Sequence, residues 1–214
     1  MPRHHSELLE TGKHYKIEMN PGTLVRGRVV ADGKPVANHV VGIYPDQMQD
    51  FHGRLFTRSR KIATDENGQF EFVGTRANVK WNIYSMMSNE NGLIETEEFE
   101  SGDAHKTRDL GEFELLPKKT IRGVFKMKDG SALPKKARVF LSRDYAWDYR
   151  SVLLKEDGKF EFQVPANELV EISFQADGVG LAGVGNKFQV KDERSFRACL
   201  DKDVKEYEVW LEAK

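Results

Sequence analysis

From Leu24 onward, apolar and polar residues change places at nearly every step. Val25, Gly27 and Val29 alternate with Arg26 and Arg28, the period of two that a strand with one buried face requires. Asp32-Gly33 follows as a hairpin signal, because glycine takes a positive φ without steric cost. Val40 to Tyr44 reads as the next strand. A longer connection, Pro45 to Arg60, leads to Lys61-Ile62-Ala63-Thr64 and the tight turn Asp65-Glu66-Asn67-Gly68. Beyond that turn Phe70 and Phe72 face one way while Gln69 and Glu71 face the other. Val79 to Met86, Ile94 to Phe99 and Gly111 to Leu115 complete a set of about seven strands.

The same grammar then recurs. Leu24-Val25-Arg26-Gly27-Arg28-Val29 is answered by Thr120-Ile121-Arg122-Gly123-Val124-Phe125, and Asn67-Gly68-Gln69-Phe70-Glu71-Phe72 by Asp157-Gly158-Lys159-Phe160-Glu161-Phe162. The second set reads Ile121 to Lys126, Ala137 to Ser142, Arg150 to Leu154, Lys159 to Val164, Val170 to Gln175, Lys187 to Val190 and Tyr207 to Leu211. About seven short strands in each half is the arithmetic of a sandwich. The expectation is an all-β protein made of two tandem seven-stranded antiparallel β-sandwiches of Greek-key type. The first spans residues 23–117, the second 118–214, and residues 1–22 are a leader or linker. The short link Leu116-Pro117-Lys118-Lys119 implies a semi-rigid pair with a modest interface.

Composition narrows the function without choosing it. With 33 Lys+Arg against 34 Asp+Glu the net charge is -1, and no basic cluster marks a nucleic-acid footprint. Cys199 is the single cysteine, so an intrachain disulfide is impossible; Phe196 and Leu200 beside it suit a part-buried structural thiol. No run has the apolar length of a membrane span, and Met1 to Glu7 contains no apolar signal-peptide core.

The combination of Val-x-Gly-x-Val, Gly-Lys-Pro-Val and Thr-Asp-x-x-Gly-x-Phe-x-Phe resembles the carboxypeptidase regulatory-like family of transthyretin-like (prealbumin-like) sandwiches, and is similar to Cna protein B-type modules. Val25, Gly27, Val29, Gly33, Lys34, Pro35, Val36, Thr64, Asp65, Gly68, Phe70 and Phe72 carry it in the first half. A degenerate set, Ile121, Gly123, Gly130, Pro134, Gly158, Phe160 and Phe162, carries it in the second. The resemblance implies an accessory module, one piece of a larger exported bacterial protein, periplasmic or at the cell surface. These are turn and core residues, so they speak for fold and not for activity. Cna-type modules can form a Lys–Asn isopeptide bond, but the first strands here carry Arg26, Arg28 and Arg122, and none is expected.

Other constellations dissolve on inspection. Gly178-Val179-Gly180-Leu181-Ala182-Gly183 spells Gly-x-Gly-x-x-Gly, yet a dinucleotide site needs a helix after it; a glycine-rich connection between strands is expected. Asp65-Glu66-Asn67-Gly68 starts like a calcium loop, but Gly74 stands where the bidentate acid belongs. His4, His5, His14, His39, His52 and His105 form no close metal-placing pair. Intradiol dioxygenases would require a His-x-His, hydroxyisourate hydrolases a terminal Tyr-Arg-Gly-Ser, and esterases a Gly-x-Ser-x-Gly elbow; the sequence holds none of them. No enzyme, no metal and no cofactor is expected, with a metal-assisted enzyme as the remote alternative.

One segment remains. Asp144-Tyr145-Ala146-Trp147-Asp148-Tyr149-Arg150 places an aromatic at every second residue. In an extended chain Tyr145, Trp147 and Tyr149 share one face, and Ala146 and Asp148 take the other. Either this face packs into the sandwich or onto the first module, or it stands exposed as a ligand-binding strip, with Arg150, for sugar rings or a partner's apolar surface. Flanking Arg143, Asp144 and Arg150 favour exposure. The functional expectation is a non-catalytic accessory or interaction module with a protein or glycan partner, the alternative being a carbohydrate- or peptide-binding module that uses this strip.

Overall fold

The alternating segments become strands, and the inward positions of those strands become two cores. The computed structural model describes residues 11–14, 21–45, 60–166, 168–184, 189–199 and 206–214, with only the backbone at 189, 190 and 199. Most of the leader and most of the Pro45–Arg60 connection lie outside these residues. The first sandwich contains β1 (Thr23–Ala31), β2 (Lys34–Pro35), β3 (Val40–Pro45), β4 (Arg60–Ala63), β5 (Gln69–Thr75), β6 (Lys80–Ser85), β7 (Glu97–Glu100) and β8 (Thr107–Glu114). The second contains β9 (Lys119–Met127), β10 (Arg138–Arg143), β11 (Ala146–Leu153), β12 (Lys159–Val164), β13 (Leu169–Gln175), β14 (Val179–Val184), β15 (Gln189–Asp192), β16 (Ser195–Cys199) and β17 (Tyr207–Ala213). The described residues include no helix, hence none long and apolar enough to cross a membrane.

The tandem all-β sandwich fold is as the alternation foretells, and one scheme of pairing serves both halves. In the first, β1 lies between β5 and β8, with β2 folded back on its end, and faces a sheet of order β4-β3-β6-β7. In the second, β9 lies between β12 and β17, facing β11-β10-β13-β16-β15. Two details differ from expectation. Among the described residues the sandwiches have eight and nine strands, since β2, β14 and β16 add to the seven expected in each half. Nor is the pairing antiparallel throughout: β1 runs parallel to β8, and β9 parallel to β17.

The glycine-rich segment is itself β14, an edge strand against β17 with a register shift between Leu181 and Gly183. Glycine is tolerated where an edge bends and one side of the ladder is open. The Asp65 carboxylate closes its own turn. Asp65 Oδ1 accepts the backbone N–H groups of Asn67 and Gln69 at 2.9 and 2.8 Å, and Gly68 adopts φ +73°. Asp157 accepts from Lys159 N–H in the same way, beside Gly158 at φ +68°.

The opening glycines have an equivalent purpose in the two halves. Gly27 pairs with Phe70 and Gly123 with Phe160. A Cβ on Gly27 would lie 2.6 Å from the Phe70 ring, and one on Gly123 2.7 Å from the Phe160 ring. The phenyl group fills the space a side chain would take. Phe72 and Phe162 are buried beside these rings, with centroids 5.8 and 6.0 Å from them. Val25 and Val29 share the first core; Ile121, Phe125 and Val209 share the second. The buried places of β1 and β9 hold Thr, Val, Gly, Ile, Phe and Met, and no lysine of those strands is buried.

The second core borrows from the first half of the chain. Met87 and Leu93, on the connection between β6 and β7, are 1% exposed and pack in the same cluster as Ile121, Phe162 and Val164. Leu93 also exchanges backbone hydrogen bonds with Leu116, N to O at 3.0 and 2.9 Å.

Candidate functional site

The aromatic segment lies on the hairpin formed by β10 and β11, and its alternation places the side chains on opposite faces. Tyr145, Trp147 and Tyr149 are 56%, 52% and 68% exposed, while Ala146 and Asp148 are buried. Tyr145 sits in the two-residue turn with Asp144 rather than in the strand, since Arg143 pairs with Ala146. The register then slips between Ser142 and Arg143, so that Ser142 is opposite Tyr149. This bulge adds residues to β11 and pushes Trp147 and Asp148 out of simple pairing. Of the two readings open from sequence, the aromatic face is exposed, although Trp147 leans on the first sandwich: its ring is stacked on that of Tyr44, with centroids 6.3 Å apart and planes 19° from parallel.

The buried face of the hairpin docks on the first sandwich through charge. Arg143, read from sequence as a surface residue, has a side chain only 2% exposed. Its Nη2 donates to Ser85 C=O at 2.6 Å and to Asp148 Oδ2 at 3.1 Å; its Nη1 donates to Glu168 Oε2 at 3.0 Å. Asp148 Oδ2 also accepts from Met87 N–H at 2.6 Å. Glu168 Oε1 accepts from both the N–H and the hydroxyl of Thr96, at 2.9 and 2.6 Å. The guanidinium lies 5.5 Å from the centre of the Tyr84 ring, a cation–π arrangement. Every acid of this triad thus bonds to both halves of the chain. Burial, with Asp148 adding to it, pushes the Tyr84 phenol up to about 12, so it stays protonated. Arg150 is exposed and reaches Met87 C=O at 3.4 Å.

Beside this seam lies a second buried polar group. His39 Nε2 is hydrogen-bonded to Ser85 Oγ at 2.6 Å and to Asn89 Nδ2 at 3.1 Å, while Asn89 Oδ1 accepts Val40 N–H at 2.8 Å. Ser85 Oγ in turn accepts Ile94 N–H at 2.9 Å. The Asn89 amide nitrogen can only donate, which makes Nε2 its acceptor in the neutral ring. Burial, with the Lys118 charge adding to it, lowers His39 from 6.5 to about 4. The unfolded chain therefore binds a proton that the folded chain refuses. His39's contribution to stability is complete above about pH 6.5 and is lost as the pH falls toward about 4. Urea unfolding of the protein at pH 7.5 and pH 4.5 should show a decline of about 2 kcal/mol that His39→Asn removes; an unchanged decline in the variant would refute it.

The other sequence candidates are not gathered. His14 and His105 are exposed, His105 in a turn at φ +63°, and His4, His5 and His52 fall outside the described residues. Among the described residues no group of three His, Cys, Asp or Glu side chains is placed to hold a metal. Cys199 ends β16, pairing with Leu169, and its side chain is outside the description. Sequence alone does not reveal the Arg143–Asp148–Glu168 triad, because Glu168 is distant in the chain and nothing local announces that Ser85 and Thr96, in the first half, bond to Arg143 and Glu168.

Comparison with known proteins is sparing. No family model matches the chain, and no curated protein does either. Solved structures with similar folds include a streptococcal ancillary pilin, 14% identical over 90% of this chain with a TM-score of 0.41. Another is GBS52, a minor pilin of Streptococcus agalactiae, 8% identical over 90% of this chain and 97% of that one, TM-score 0.37. A third is the shaft pilin SpaA of Lactobacillus rhamnosus GG, 11% identical over 92% of this chain and 98% of that one, TM-score 0.30. The chain spans 62% of the ancillary pilin's length. At such identities and TM-scores the likeness assigns neither family nor function.

Proposed function

We propose that this chain is a non-catalytic interaction module of a larger exported or cell-surface protein, and that it holds its partner on the aromatic hairpin. One observation carries this reading: three aromatic side chains are half or more exposed on a hairpin whose opposite face is fixed by a buried ion triad. Exposed aromatics on a rigid base are a binding surface prepared in advance, since little side-chain or backbone freedom is lost on contact. A phenol at either end and an indole between them offer apolar faces for stacking and O–H or N–H groups for the rim. Arg150 beside them adds a cation. A glycan chain laid along the strip is the occupant that best suits stacking faces with polar edges; a protein partner is the alternative.

The assignment to carboxypeptidase regulatory-like sandwiches, a division into domains at residues 117 and 118, and export belong to the same proposal. Support comes from the motif residues and from the strand pairing common to the two halves. Absence of enzymatic activity is also part of it.

Trp147→Ala tests the site. Unfolding free energy should fall by no more than about 1 kcal/mol, the worth of one aromatic pair, because the indole is half exposed. Binding to a glycan array, or to whichever partner is captured, should be lost. Ligand binding that survives the substitution would remove the strip as the site, and a fall of several kcal/mol would make Trp147 structural.

A further inference from the structure

We infer that both sandwiches are built to bear tension along the chain, a function that goes beyond partner binding and does not depend on it. In each, the strand by which the chain enters and the strand by which it leaves are hydrogen-bonded neighbours running in parallel. For β1 and β8 the register runs from Leu24 opposite Thr107 to Val30 opposite Glu114. For β9 and β17 it runs from Gly123 opposite Tyr207 to Met127 opposite Leu211.

Parallelism decides how a pull is felt. The entry point of β1 and the exit point of β8 lie at opposite ends of their shared ladder. Drawing them apart slides one strand along the other and loads all the hydrogen bonds together. Were the pair antiparallel, the same pull would open the bonds one at a time from one end. Forced unfolding follows the height of the unfolding barrier rather than equilibrium stability, so loading geometry matters more than contact energy.

Side chains reinforce the two ladders in the same places. Arg26 pairs with Asp109 and Arg28 with Glu112, at 2.9 and 2.8 Å across β1 and β8. Lys126 pairs with Glu208 and Lys128 with Glu212 across β9 and β17. At equilibrium such exposed pairs count for little; under sliding, they must break in step with the backbone. On the inner side Val25, Val29 and Phe113, then Phe125 and Val209, keep water from the ladders. Leu115 to Lys118 is the covalent link from β8 to β9, which places the two clamps in series along the chain.

Single-molecule stretching tests this. Handles at the two chain ends should give two unfolding events, each releasing roughly 300 Å at ~3.3–3.6 Å per residue. Handles on Pro21→Cys and Lys106→Cys, in a Cys199→Ser background, pull from the same end of the β1–β8 ladder. They should open the first sandwich at severalfold lower force. Equal forces in the two geometries would overturn the inference. Arg28→Glu, which faces Glu112 with a like charge, should weaken one event of end-to-end pulling and spare the other. Weakening both or neither would remove the ion pairs from the clamp.

Discussion

Replacing Arg143 with methionine is expected to lower the unfolding free energy by about 3–5 kcal/mol, measured by chemical denaturation at neutral pH. The substitution keeps much of the volume and removes the charge. Asp148 then keeps only Met87 N–H and Glu168 only Thr96, and two acids stand in the seam without a cation. An uncompensated buried charge costs far more than the intact triad contributes, because desolvation of the acids has already been incurred. The expected companion is a loss of cooperativity, since Arg143 also donates to Ser85 C=O across the seam. A single transition should broaden or divide into two. Replacing Arg143, Asp148 and Glu168 together with apolar residues should be milder than the single change. A loss below about 1 kcal/mol for Arg143→Met would show that the seam does not depend on it.

Phe70→Ala and Phe160→Ala should each cost about 3–5 kcal/mol. The rings are 2% and 4% exposed, and each occupies the place of a side chain above a glycine. Truncation therefore leaves a cavity above a backbone that has no Cβ to fill it. The two substitutions should cost nearly the same, as equivalent positions must. Val73→Ala, on the same strand as Phe70 but 68% exposed, is the control and should change stability by less than about 0.5 kcal/mol. A loss near that of the control at either phenylalanine would mean that its strand is out of phase.

Where a residue's fate depends on neighbours in sequence, the sequence announced it. Phe70 and Phe72 alternate with Gln69 and Glu71, and the structure buries the first pair and exposes the second. Gly68 and Gly158 mark turns because a positive φ is a local demand. The exposure of Tyr145, Trp147 and Tyr149 opposite buried Ala146 and Asp148 is likewise a period-two effect. Where fate depends on distant partners, the sequence was silent. Arg143 beside Asp144 looks like a solvated pair, and only the approach of Ser85 and Glu168 makes it a buried anchor. Strand β14 was hidden by its glycines, since the partner β17 supplies the ladder that residue preference does not. That β8 and β17 run parallel to β1 and β9 leaves no trace in alternation, which is the same in either direction.

Met87 and Leu93 set an order in time. Both are synthesised with the first sandwich, yet both complete the core of the second. The strands that cover them, from Lys119 to Ala213, leave the ribosome roughly 5 to 20 s later at ~5–20 residues per second. During that interval the nascent chain carries two uncovered apolar side chains on a folded or folding support. They are the first solid surface on which the later half can condense. A gene that lost the earlier half would make a second sandwich with two holes in it, and one that lost the later half would make a first sandwich with two adhesive points.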